Sequence, residues 1–170
     1  QGERERAERN EYDLIAEIEL LERKLTENLA LQETQQTEIE ALREKFTLLE
    51  KEQRREDKGR QKAFAAYQKR FATLYKNVLV SERAVEGFLD LNEEMRLKAE
   101  EIIHQLDASP DLVSVKRKVF GKKNRETVLE VVFAYRGRLY FRRGTDRRVE
   151  VAAIGTKNTQ SRELEFLASL

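Results

Sequence analysis

Cysteine is absent from this chain, which excludes disulfides and thiolate metal sites and suits a reducing compartment such as the cytoplasm. Histidine occurs once, at His104, so a metal site would have to be built mainly from carboxylates. The acidic residues are spaced as solvated helix faces and intrahelical pairs, and His104 falls off the apolar stripe of its helix as a surface residue. No metal or other cofactor is therefore expected. No apolar run approaches the length that crosses a bilayer. The opening residues, Gln1 to Arg6, lack both a starting Met and the apolar stretch of a signal peptide, and the chain reads as a soluble piece of a longer polypeptide. Proline occurs once, at Pro110, where helical spacing has to stop.

Charge is what the chain has in plenty. Asp, Glu, Lys and Arg make up 38% of its 170 residues and the mean hydropathy is −0.74, which suits a long solvated helical element plus one small core. Two heptad seams of matched length supply that element. The first falls at Leu14, Ile18, Leu21, Leu25, Asn28, Gln32, Gln35, Ile39, Leu42, Phe46, Leu49 and Gln53. The second falls at Phe64, Tyr67, Phe71, Leu74, Val78, Ser81, Val85, Phe88, Asn92, Met95, Ala99 and Ile102. Alternating steps of three and four place each set along one stripe of a helix. Folded back near residues 56–60, the seams pair layer by layer, Gln53 with Phe64 through to Leu14 with Ile102. This predicts an antiparallel coiled-coil hairpin over residues 1–108, with Gly59 ending the first arm. The alternative is one continuous rod, because the eleven residues from Gln53 to Phe64 make a heptad plus a four-residue stutter. A rod would bring Glu56 and Arg60 onto the seam, which favours the hairpin.

From Asp111 onward 14 Lys and Arg face 7 Asp and Glu, whereas the preceding residues are mildly acidic. A basic C-terminal domain over residues 109–170 points to a polyanion, commonly nucleic acid. Val113, Val115 and Val119 alternate with polar residues up to a turn at Gly121 to Asn124. Thr127 to Ala134 is an apolar run broken only by Glu130, and Gly137 turns the chain into a strand at Arg138 to Arg142. Gly144-Thr145-Asp146 turns it again into Arg147 to Ile154, and a helix from Gln160 to Ala168 closes the chain. The expected fold class is α+β: the hairpin, then a small antiparallel meander with a C-terminal helix.

Within the strand at 138–142, alternation sends Leu139 and Phe141 to one side and Arg138, Tyr140 and Arg142 to the other. Together with Arg148 these guanidinium groups can pair with phosphates while the tyrosine stacks on a base. Lys116, Lys118, Lys122, Lys123 and Arg125 extend the same surface. An ordinary solvated sheet face would use the same residue types. A second candidate is Gly155-Thr156-Lys157-Asn158-Thr159 between strand and helix, where Lys157 adds charge to the N–H groups of a helix start. It lacks the glycine spacing of a Walker loop, and a plain capped connection accounts for it equally.

The segment also has a family look. A helix ending Ile102-Ile103-His104-Gln105-Leu106, a proline linker, a basic stretch from Ser114 to Gly121, the run from Leu129 to Phe141 and that from Val149 to Gln160 resemble the RelE/ParE superfamily of toxins. The resemblance covers about residues 105–168. It implies two helices before a three-stranded antiparallel segment, an arginine soon after a tight turn, a last core strand and a basic or Thr-Gln-containing loop. Arg138 matches the arginine that contacts mRNA phosphate in ribosome-dependent members, and Lys157 falls in the basic loop. Where RNA-cleaving members carry lysines on the strand before the turn, this chain has Glu130 and Val132. Its helices read as far longer than the family's, and no strand is read before them.

The sequence thus predicts a non-enzymatic coiled-coil interaction and spacing module with a basic domain that binds RNA or DNA. Its arms would dock a partner protein or a second copy, and no membrane is involved. The alternative is a toxin-like effector acting on RNA or the translation machinery, in which case the activity would be that of an endoribonuclease.

Overall fold

The computed structural model describes residues 2–120, 127–144 and 146–170, and of Phe120 the backbone alone. The chain divides into two compact units, Gln1–Arg55 and Glu56–Leu170. The division falls within helix α1, Gly2–Leu74. In the first unit every described residue is exposed, and the hydrogen bonds are local: the Thr26, Thr34 and Thr47 hydroxyls each donate to the carbonyl four residues back.

The expected hairpin turn does not form, since residues 56–60 are helical. One glycine in a helix costs only about 1 kcal/mol relative to alanine, and Gly59 lies among good helix formers. Glu56 and Arg60, the seam residues that argued against continuation, meet no core and are exposed. Arg60 pairs with Asp90 at 2.9 Å instead. Neither does a rod continue to residue 102. Beyond α1 the second seam is divided among β1 (Val78–Val80), α2 (Glu82–Leu89) and α3 (Glu93–Ala108). Its polar members are the reason. The Ser81 hydroxyl accepts from the Ala84 N–H at 3.1 Å and the Asn92 side chain from the Met95 N–H at 2.8 Å, so each starts a new helix.

After a short 3₁₀ turn at Pro110–Leu112 come β2 (Arg117–Phe120), β3 (Thr127–Phe133), β4 (Gly137–Arg143), β5 (Val149–Thr156) and α4 (Gln160–Ser169). The fold class is α+β as expected, but the sheet is five-stranded and mixed. Its order is β1-β5-β4-β3-β2, with β1 parallel to β5 and the other pairs antiparallel. The second seam therefore belongs with the sheet in the unit Glu56–Leu170, and not with an arm ending at residue 108.

Both sheet faces are covered. On one, Val131, Leu139, Phe141, Val151 and Ile154 join Phe71 of α1, Val85 and Phe88 of α2 and Ile103 of α3 in the main core. Phe71 meets Phe88 edge-on at 5.2 Å. Gly87 lets α2 lie on β5, because a Cβ there would stand 1.8 Å from the Ile154 carbonyl oxygen. On the other face Val128, Tyr140, Ala152 and Ala153 pack with Leu167 of α4. The register slips between Tyr140 and Phe141, so that Ala152 and Ala153 both turn to the α4 side while Val151 and Ile154 keep the main core.

Candidate nucleic-acid interface

The sheet face expected to hold nucleic acid is an interior one. Tyr140 is fully buried, packed with Leu167 of α4 on the side of β4 that would otherwise be solvated, and Arg138 is 5% exposed. The Arg138 guanidinium turns back on its own hairpin. Its Nη1 donates to the carbonyl of Gly137 at 2.9 Å and of Tyr135 at 3.3 Å, while its buried Nε has no partner among the described residues. Arg142 is half-buried, and its Nε donates to Glu150 at 2.7 Å. Arg138 and Tyr140 therefore cannot meet a phosphate or a base.

The remaining sequence candidates among the described residues are scattered. Arg148 is exposed beside Asp146 at 3.6 Å. Lys116 is exposed just before β2, and Lys118 is exposed on that edge strand, where lysines also deter strand pairing. Lys157 is exposed in the loop between β5 and α4. Lys122, Lys123 and Arg125 lie outside the described residues.

Glu130, which the sequence placed only as an interruption of an apolar run, organises the α4 side of the sheet. It is fully buried, and its two carboxylate oxygens accept from Arg117 at 3.0 Å each, with Gln160 of α4 donating at 3.0 Å. Burial pushes its carboxyl up, but the surrounding donors, the Arg117 guanidinium foremost, outweigh that and hold it below the usual carboxylate range. Tyr140 is its cross-strand neighbour. Burial, with the Glu130 charge beside it, raises the Tyr140 hydroxyl well above the ordinary tyrosine range, and that hydroxyl has no hydrogen-bond partner among the described residues. This closed cluster pins α4 to β2 and β3.

The accessible constellation lies at the β3–β4 hairpin tip. Ala134 and Tyr135 take positive φ angles of 44° and 64°, a conformation that non-glycine residues adopt at a cost. The Arg136 N–H donates to the Ala134 carbonyl at 2.6 Å, and the Lys157 N–H donates to the Arg136 carbonyl at 2.8 Å. This last bond brings the β5–α4 loop against the tip. Tyr135 is 88% exposed, and the Arg136 and Lys157 side chains are exposed without a partner among the described residues. An outward ring with two unpaired cations can stack on a base and hold phosphates. Of the sequence candidates among the described residues, the structure brings Lys157 here as an exposed cation and Arg138 as a buried donor to the Tyr135 carbonyl. Tyr135 and Arg136 were missed, although an aromatic followed by a cation just before Gly137 occupies positions that a hairpin must expose.

At the start of α4, Thr159 caps no helical N–H. Its hydroxyl accepts from the Thr156 N–H at 3.0 Å and donates to the Thr156 carbonyl at 3.2 Å, so the loop closes on itself. His104 is exposed, its ring 6.2 Å from that of Tyr75. Among the described residues no group of His, Cys, Asp and Glu could hold a metal ion, and no helix is long and apolar enough to cross a membrane. Comparison with protein-family models, curated proteins and solved structures gives no match.

Proposed function

We propose that the unit Glu56–Leu170 binds the backbone of single-stranded RNA or DNA through its β3–β4 tip, without catalysis, in the reducing cytoplasm that a cysteine-free chain suits. The observation that carries this reading is the strained turn that holds Tyr135 and Arg136 outward beside Lys157. Charge supports it: the unit has 23 Lys and Arg against 17 Asp and Glu, whereas Gln1–Arg55 has 10 against 15. The buried Arg138 positions the tip by holding the Tyr135 carbonyl. Tyr135→Ala is expected to weaken binding of a short single strand by about 1–3 kcal/mol. Arg136→Glu with Lys157→Glu lowers both affinity and salt dependence. Fluorescence anisotropy across a salt series measures both effects. Unchanged affinity in both variants overturns the reading.

A second reading, a RelE/ParE-type effector acting on RNA, is favoured by one observation. A strand, β1, precedes two helices of 8 and 16 residues, followed by antiparallel strands and a closing helix. That order lessens the departures read from sequence in helix length and first strand, while the 73-residue α1 ahead of β1 remains a departure. Against cleavage, the arginine matched to the family's phosphate contact is buried, and Glu130 is engaged by Arg117. Incubation with RNA decides between the two: intact RNA is expected, and cleavage that disappears with Arg136→Glu and Lys157→Glu would favour the effector.

A further inference from the structure

In the first unit the seam from Leu14 to Leu49 is a strip of large apolar side chains, each 43–64% exposed on α1. At ~1.5 Å per residue it runs about 54 Å. A single helix with such a strip is marginal in water until the strip is covered. We propose that a second copy of this chain covers it, forming a parallel, in-register, two-stranded coiled coil. This goes beyond the nucleic-acid reading and does not depend on it.

Side-chain type selects the occupant. In the heptad, Leu14, Leu21, Leu42 and Leu49 stand at d positions and Ile18, Leu25, Ile39 and Phe46 at a positions; leucine at d with the β-branched Ile18 and Ile39 at a is the combination that favours two parallel strands. Asn28, Gln32 and Gln35 interrupt the strip. In register each faces its own copy, polar against polar, whereas any slip by a heptad sets polar layers against leucine or isoleucine.

Flanking charge selects the orientation. A parallel pair brings Glu38 to Arg43 and Lys45 to Glu50 of the other copy, each twice by symmetry, against two like pair types, Glu17 with Glu22 and Glu52 with Asp57. The antiparallel arrangement that sets Gln32 opposite Gln35 would instead oppose Glu17 to Glu52 and Lys24 to Lys45, with only Glu22 and Arg43 complementary.

Sedimentation equilibrium of the whole chain is expected to return twice the 20.0 kDa of one copy. Because the chain has no cysteine, Leu42→Cys reads orientation directly: oxidation should link two copies through that position. Arg43→Glu with Lys45→Glu is expected to weaken self-association roughly tenfold or more, as is Glu38→Lys with Glu50→Lys, because both turn attraction into repulsion. Mixing these two variants should restore a dimer, which a generally misfolded chain would not do. A monomeric mass up to the solubility limit overturns the proposal. So does a trimer, or a dimer in which oxidation joins Leu21→Cys to Phe46→Cys but not Leu42→Cys to itself.

Discussion

Arg138 shows what burial does to a residue that looks functional. On an exposed strand it could meet a phosphate; buried, its guanidinium serves its own hairpin, holding the Tyr135 and Gly137 carbonyls. Arg138→Ala is therefore expected to destabilise the unit by about 2 kcal/mol, through lost hydrogen bonds and an emptied buried site. Urea unfolding followed by circular dichroism would measure it, and a variant as stable as the parent would mean the residue is not held there. Glu130 adds a pH dependence. Its carboxyl is depressed in the folded state, so its contribution is present above the unfolded value of about 4.3 and is lost as pH falls through the lower folded value. In Glu130→Gln that share of the acid-side loss should vanish, flattening stability against pH below the unfolded value by up to one proton's worth. An acid limb as steep as the parent's would place the titrating group elsewhere.

At the scale of elements, β3, β4, β5 and α4 were legible because apolar alternation and glycine turns mark short strands directly. The hairpin read from the two seams does not form, because a spacing of threes and fours marks apolar side chains without fixing where a helix ends or what covers it. Phe71, Val85, Phe88 and Ala99 are all buried as the seam requires, yet they reach the core from three different helices. The breaks lie at Ser81 and Asn92, polar positions in the seam that each cap a new helix. Tyr140 was misread for a related reason: alternation assigns it a face but cannot say that α4 covers that face. Gly59 separates the two views of the first helix. In a continuous helix with open space around it, Gly59→Ala is expected to stabilise the unit by up to about 1 kcal/mol. In a left-handed turn the same change would destabilise it. Ser81→Ala should cost about 1 kcal/mol by removing the cap of α2. Thermal unfolding reads both.

For the whole molecule, charge and chain division coincide, the basic groups in excess in Glu56–Leu170 and the acidic ones in Gln1–Arg55. Two copies joined through the first unit would each carry a cationic tip, and a strand long enough to engage both would be held more tightly than by either alone. The central claim, however, concerns one tip. It is tested most directly by the affinity of the whole chain for a short single-stranded oligonucleotide, too short for two tips, as salt is raised. The account predicts affinity that falls steeply with salt, and for Arg136→Glu with Lys157→Glu a slope reduced by about 1.4, as expected for two lost phosphate contacts. Equal affinity and equal slope in parent and variant would contradict it.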